Sequence, residues 1–147
     1  VVPEYAATVT EFLNQTINGA AAESVASGDI DETIAALEPL AAERGLTVGT
    51  PAAAQDQNAF AVTAEFAAEY GVSTLSELAA TCTDGIVMGG PPEFPERPFG
   101  QPGLEATYGI VVSDFVSLDA GGPLTKTAIL EGEIAMGLVF SSDGALG

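Results

Sequence analysis

Gly121-Gly122-Pro123-Leu124-Thr125-Lys126-Thr127-Ala128-Ile129-Leu130-Glu131-Gly132-Glu133-Ile134-Ala135-Met136-Gly137-Leu138-Val139-Phe140 holds a helix and a strand in twenty residues. The glycine pair and Pro123 open a helix, because proline's missing amide costs nothing in a first turn. The apolar run to Leu130 continues it and Gly132 closes it. Ile134 to Phe140 is then a continuous apolar stretch of strand length, the pattern of a strand buried on both faces. A helix joined so closely to a buried strand is the repeating unit of an α/β fold.

The same alternation extends in both directions. Upstream, Ile110 to Leu118 reads as a strand and Gly103 to Tyr108 as a short helix. Glu93 to Pro102 is crowded with proline and is expected to lack regular structure. Gly85-Ile86-Val87-Met88 reads as a strand ending in Gly89-Gly90-Pro91-Pro92. Thr74-Leu75-Ser76-Glu77 has the spacing of a capping box and opens a helix to about Ala80. Glu65 to Tyr70 reads as a helix stopped by Gly71, and Ala59 to Thr63 as a strand. Leu46 to Val48 is a candidate short strand. Asp29 caps a helix with Ile30, Ile34, Leu37 and Leu40 on one face, ended by Gly45. Thr8 to Ile17 sets Val9, Phe12, Leu13 and Ile17 at helical spacing, and Ala20 to Ser27 reads as a surface loop. The expected fold is α/β, a central mostly parallel sheet flanked by helices, in one domain over residues 1–147.

Composition removes whole classes of function. Three basic against 21 acidic side chains give a net charge of −18. A chain so poor in cations cannot displace the counterions of a nucleic acid, nor dock a basic patch on anionic lipid. An apolar content of 47% with positive mean hydropathy argues for a real core rather than disorder. There is no histidine, hence no imidazole base or ligand. The single thiol, Cys82, allows no internal disulfide and reads as a buried or incidental group. No cofactor or metal site is expected, since no calcium-loop pattern occurs and Asp29-Ile30-Asp31 is too short to count. Glu93, Glu96 and Asp119 could be taken for a glycosidase pair, but among 21 acids such proximity is expected by chance. No apolar run approaches the roughly 20 residues of a membrane span. No basic segment followed by an apolar one marks a secretory leader.

Several segments, read in order, resemble one family of solute receptors. Val2-Pro3-Glu4-Tyr5-Ala6-Ala7-Thr8 is similar to its PEYTGT segment. Gly89-Gly90-Pro91-Pro92-Glu93-Phe94-Pro95-Glu96-Arg97, then Pro102-Gly103-Leu104 and Tyr108-Gly109, resembles its G-x-PEF-x-x-R…GL…YG stretch. Leu118-Asp119-Ala120-Gly121-Gly122-Pro123-Leu124-Thr125, then Gly132-Glu133-Ile134 and Phe140-Ser141-Ser142-Asp143-Gly144, resembles LDSG…L…G-x-I…YSTDG. Gln55-Asp56-Gln57-Asn58-Ala59 and Thr74-Leu75-Ser76-Glu77-Leu78 are similar to its actinobacterial branch. The family is that of the glycine betaine/choline/proline betaine substrate-binding proteins of ABC osmoprotectant importers.

The resemblance implies a single lobe of a two-lobed periplasmic-binding-protein-like (type II) fold. The PEYTGT-like and STDG-like segments lie near the family's two crossovers, so the chain is expected to be the inserted lobe, without the first lobe. It implies an extracytoplasmic protein that binds without chemistry, a small quaternary ammonium ligand, and an ABC permease as partner. The alternative is a free-standing α/β lobe with a structural role and homo-oligomer formation through the surface another lobe would cover.

The ligand's chemistry suggests which residues to watch. A quaternary ammonium is held by aromatic faces. A betaine carboxylate is held by Arg, Lys or open amides at a helix start. Tyr5 stands where the family has a cage tyrosine, or else packs on its own lobe. Phe140 keeps the ring of the YSTDG tyrosine without its hydroxyl, and is either cage or core. Asn58 either donates to the ligand or ties its loop. Arg97 is either a carboxylate clamp or an ion pair with Glu93, Glu96 or Glu105. Gly121 and Gly122 either present open amides to an anion or simply start a helix. Lys126 departs from the tyrosine of many relatives; it either reaches a carboxylate or lies on a solvated face.

Overall fold

The computed structural model describes residues 1–145. The chain divides into two compact units, Val1–Ala54 and Gln55–Gly147.

The first unit holds helices α1 (Ala6–Asn18) and α2 (Ile30–Glu43). Leu13 of α1 packs on Leu37 and Ala41 of α2, with Val9, Ile34, Leu40 and Val48 around them. Phe12 is not part of that seam: it is 66% exposed. The buried side of α1 is instead polar, with Thr10, Glu11 and Asn14 beside Leu13. Thr10 Oγ1 donates to the Ala6 carbonyl at 2.7 Å, a bond inside the helix. Asn14 Nδ2 donates to the Glu23 carbonyl at 2.8 Å.

Glu11 organises the segment after α1. Its Oε1 accepts from the Ser24 hydroxyl and from the Val25 and Ala26 amides at 2.7–2.8 Å. Burial pushes its carboxyl up, but these bonds and the nearby Asn14 amide outweigh burial and hold it below the ordinary glutamate range. Oε2 is buried and closes no hydrogen bond of good geometry.

Asp29 caps α2, its Oδ1 accepting from Asp31 N at 2.8 Å and Glu32 N at 3.1 Å. Pro39 lies within α2, a position its missing amide normally disfavours. The expected strand over Leu46 to Val48 is absent. The Leu46 amide donates back to the Ala41 carbonyl at 2.9 Å, completing the end of α2 after Gly45 (φ +69°). A backbone group spent on a helix end is not available to a sheet.

The second unit runs β1 (Asn58–Ala61), α3 (Ala64–Tyr70), α4 (Leu75–Thr81), β2 (Ile86–Gly90), α5 (Gln101–Tyr108), β3 (Val112–Ser117), α6 (Pro123–Leu130) and β4 (Met136–Phe140). Its described residues form one four-stranded sheet in the order β1-β4-β2-β3. β2 is parallel to both β3 and β4; β1 is antiparallel to β4. The fold is therefore α/β with a mostly parallel sheet flanked by helices. Among the described residues no helix is long and apolar enough to cross a membrane.

The central strands β2 and β4 bury both faces, as their continuous apolar runs require, while β1 and β3 at the edges are only partly covered. On one face Met88, Met136 and Leu138 meet Phe94, Leu104 and Ile110. Phe94 sits between Phe60 and Phe115, with ring centroids 6.1 and 6.2 Å away. On the other face Ala128, Ile129 and Ile134 pack with Val87, Val116 and Leu118. Gly137 lets α6 approach: a Cβ there would fall 2.6 Å from Ile129 Cδ1 and 2.7 Å from Thr125 Cγ2.

The proline-rich segment is more regular than its composition suggests. Phe94–Glu96 forms a single 3₁₀ turn, and α5 begins at Gln101 with Pro102 in its first turn. Proline is excluded from helix interiors, not from starts and short turns. Buried Phe94, 2% exposed, anchors that turn in the core.

Candidate functional site

Parallel strands bring their C-terminal ends to one rim of a sheet, the edge where open α/β folds bind ligands. Here β2, β3 and β4 end at that rim, and antiparallel β1 begins there. Asn58 and Phe140 are directly paired across β1 and β4. The Asp119–Gly122 turn, between β3 and α6, closes on the same place. Gly121 (φ +68°) lies against Phe140: a Cβ there would be 3.2 Å from Phe140 Cδ2 and 3.2 Å from Val139 Cα. A side chain fits neither that space nor that left-handed backbone.

Asp119 holds the turn. Its Oδ2 accepts the Leu124 amide at 3.0 Å, and Oδ1 accepts the Thr125 amide at 2.9 Å. The Thr125 hydroxyl lies 2.8 Å from both Oδ1 and the Asp119 carbonyl. Partial burial pushes the Asp119 carboxyl up. The amides of Thr125 and Leu124, the Thr125 hydroxyl and the Gly122 amide outweigh that and hold it below the ordinary aspartate value. Gly122 is backed directly by this carboxylate, so any Cβ there would collide with it. The amides expected to be open at Gly121 and Gly122 are thus already engaged within the chain: Gly121 N donates to the Asp119 carbonyl at 3.2 Å, and the Gly122 amide faces the Asp119 carboxylate.

A clasp secures the residues after β4. Gln57 N donates to Ser141 Oγ and Ser141 N to the Gln57 carbonyl, both at 2.9 Å. The Ser142 hydroxyl donates to Asp56 Oδ1 at 2.6 Å. Asp143 pairs with Lys126 of α6. That hydrogen bond, then the Ala145 amide, lowers the Asp143 carboxyl. Lys126 therefore reaches a carboxylate of its own chain.

The other expected residues fall as follows. Asn58 Nδ2 donates to the Phe99 carbonyl at 3.3 Å, which ties the 91–100 segment to the rim. Arg97 Nη2 pairs with Glu93 at 3.2 Å, with both side chains about half exposed. Tyr5 precedes α1 in the first unit, is 52% exposed, and accepts the Val9 amide on its carbonyl at 3.0 Å. The rim of the second unit thus brings together Asn58, Gly121, Gly122 and Phe140, with the Arg97 segment attached through Phe99.

Sequence reasoning missed Asp119 as the organiser of this turn. Capping rules look one residue before the helix, where Gly122 stands without a side chain. The usable signal was an aspartate three residues ahead of Gly122 and six ahead of Thr125. Among the described residues no group of three or more His, Cys, Asp and Glu side chains could hold a metal ion.

An aromatic ring and a glycine turn thus stand at the rim where the parallel strands of this α/β sheet end. The chain belongs to the family of the substrate-binding domain of ABC-type glycine betaine transport systems, whose pattern matches residues 6–147. Proteins of this kind bind their solute rather than transform it. No curated protein matches the chain. Among solved structures, it is similar to a glycine betaine/carnitine/choline ABC transporter crystal structure, with 23% identity and TM-score 0.58 over 91% of this chain. It is also similar to the apo form of YehZ from Escherichia coli, with 20% identity and TM-score 0.56 over 91% of this chain. These likenesses establish the type II periplasmic-binding-protein-like fold. The chain spans about half the length of both structures, 48% and 50%.

Proposed function

We propose that this chain is one lobe of an extracytoplasmic receptor that captures a quaternary ammonium osmoprotectant and presents it to an ABC permease. Glycine betaine, choline and proline betaine are the ligand class. The second lobe supplies the opposite wall, and closure follows from ligand contacts to both walls. The observation that carries this reading is the family match over residues 6–147, joined to the placement of Phe140 on the rim. In the receptor, Phe140 offers a ring face to the ammonium, worth about 0.5–2 kcal/mol. Asn58, Gly121 and Gly122 shape the wall, and Arg97 fixes the neighbouring segment.

The test is a titration of the purified chain with choline and glycine betaine, followed by amide chemical shifts. One wall supplies few contacts while the immobilisation cost is paid in full. Binding is therefore expected to be weaker than about 10 μM, roughly −7 kcal/mol. Shifts should centre on Asn58, Gly121 and Phe140. No shift at these amides by tens of millimolar ligand contradicts the proposal and leaves the lobe a structural or self-associating role.

A further inference from the structure

The rim of the second unit already gives each of its carboxylate-binding groups a partner within the chain. The cations of residues 55–147 are Arg97 and Lys126. Arg97 is paired with Glu93 and Lys126 with Asp143. The start of α6 would otherwise present amides to an anion. The Asp119 carboxylate takes those of Leu124 and Thr125, at 3.0 and 2.9 Å. Asn58 gives one of its two carboxamide N–H groups to the Phe99 carbonyl. The rim then offers the Phe140 ring and the Gly121 backbone, in a unit with thirteen acidic side chains against two basic ones.

An aromatic face in a negative field favours an organic cation. The same field opposes a carboxylate, and the carboxylate of a betaine is only a few bonds from its ammonium. We infer that this unit prefers a carboxylate-free quaternary ammonium, a cationic amino alcohol such as choline, over a zwitterionic betaine, with Asp119 as the residue that sets the preference. The inference rests on the reading of the rim as a quaternary ammonium site. Asp119 acts twice: it consumes the amides that a ligand carboxylate would use, and it places a fixed negative charge behind the Gly121–Gly122 turn.

The whole chain is titrated at low salt with choline, tetramethylammonium, glycine betaine and acetate, following the rim amides. Choline and tetramethylammonium should bind about fivefold or more tightly than glycine betaine, the scale of one like-charge contact in water. Acetate should leave the Leu124 and Thr125 amides unmoved. Asp119→Asn should bring the choline-to-betaine ratio toward one, whereas Glu131→Gln, an equal charge change at the exposed far end of α6, should leave it. If Asp119→Asn does not fold, the wild-type ratio measured at low and high salt decides, since screening should shrink it. Betaine binding equal to or tighter than choline overturns the inference and leaves the quaternary ammonium site standing. Acetate shifts at Leu124 and Thr125 overturn it by showing α6 open to anions. Silence toward every quaternary ammonium overturns the inference and the site together.

Discussion

Glu11 Oε1 accepts the amide of Ala26, fifteen residues further along the chain, at 2.7 Å. A carboxylate on the buried side of α1 thus fixes a segment that composition alone marks as loose.

Removing that charge should be felt. Glu11→Gln replaces charge-assisted hydrogen bonds with neutral ones and turns a donor toward the Oε2 space, so a loss of about 2 kcal/mol is expected. The folded carboxyl is lowered relative to its unfolded value of about 4.3. Its contribution is therefore complete above that value and fades as pH falls through the folded one. Thermal melts from pH 6 to pH 3 should show a shallower acid decline in the variant. Parallel curves would remove Glu11 from the acid response.

Thr125 is fully buried, and its hydroxyl serves both the carbonyl and the carboxylate of Asp119. Thr125→Val keeps the shape and deletes the donor. The expected loss is about 1–2 kcal/mol, read by urea denaturation. A neutral result would show that the backbone amides alone hold the turn.

Gly137→Ala should destabilise the second unit by about 1–3 kcal/mol, the usual range for overpacking. The added methyl meets Ile129 and Thr125, both buried and unable to swing away. Gly144→Ala, with open space around its Cα, is the comparison and should be close to silent. Equal effects at the two positions would contradict the close packing of α6 on β4.

Salt should raise the melting temperature. Arg97 and Lys126 are paired with Glu93 and Asp143, while Arg44 gives a donor to the Thr16 carbonyl. With a net charge of −18, repulsion disfavours the compact state. The screening length falls from about 30 Å at 0.01 M to about 8 Å at 0.15 M salt. Sodium and potassium chloride should act alike over that range. A flat response would mean that the acids are spaced well enough not to repel.

Local rules made much of the second unit legible. Pro123 and Gly132 bracket α6, and Thr74 with Glu77 forms the capping box that the spacing announces. The apolar runs of β2 and β4 are strands for the reason that their sequences suggest: both faces are covered. Legibility failed where the partner was distant or polar. Val9, Phe12, Leu13 and Ile17 have helical spacing, yet the helix also turns Glu11 and Asn14 inward because a returning segment satisfies them, and Thr10, which bonds back to Ala6 within the helix. Nothing local to Asn58–Ala61 says that it runs antiparallel to β4, since its partner lies 76 to 82 residues away along the paired stretch. At the rim, Phe140 and Asn58 could be selected by type, but the saturation of Asp119 depends on a turn that only the folded chain displays.

β1 and β4 lead the chain into and out of the second unit side by side. The paired residues Asn58 and Phe140 stand at the end where both strands meet the rest of the chain. Tension applied through those two ends would first load the Gln57–Ser141 and Asp56–Ser142 hydrogen bonds and then peel the ladder one pair at a time from Asn58–Phe140 inward, rather than shear the whole strand at once. Closing this pair also completes a loop of about 80 residues, which carries a larger entropic cost than a hairpin. The rim that carries Asn58 and Phe140 is thus the part of the sheet where a mechanical pull arrives first.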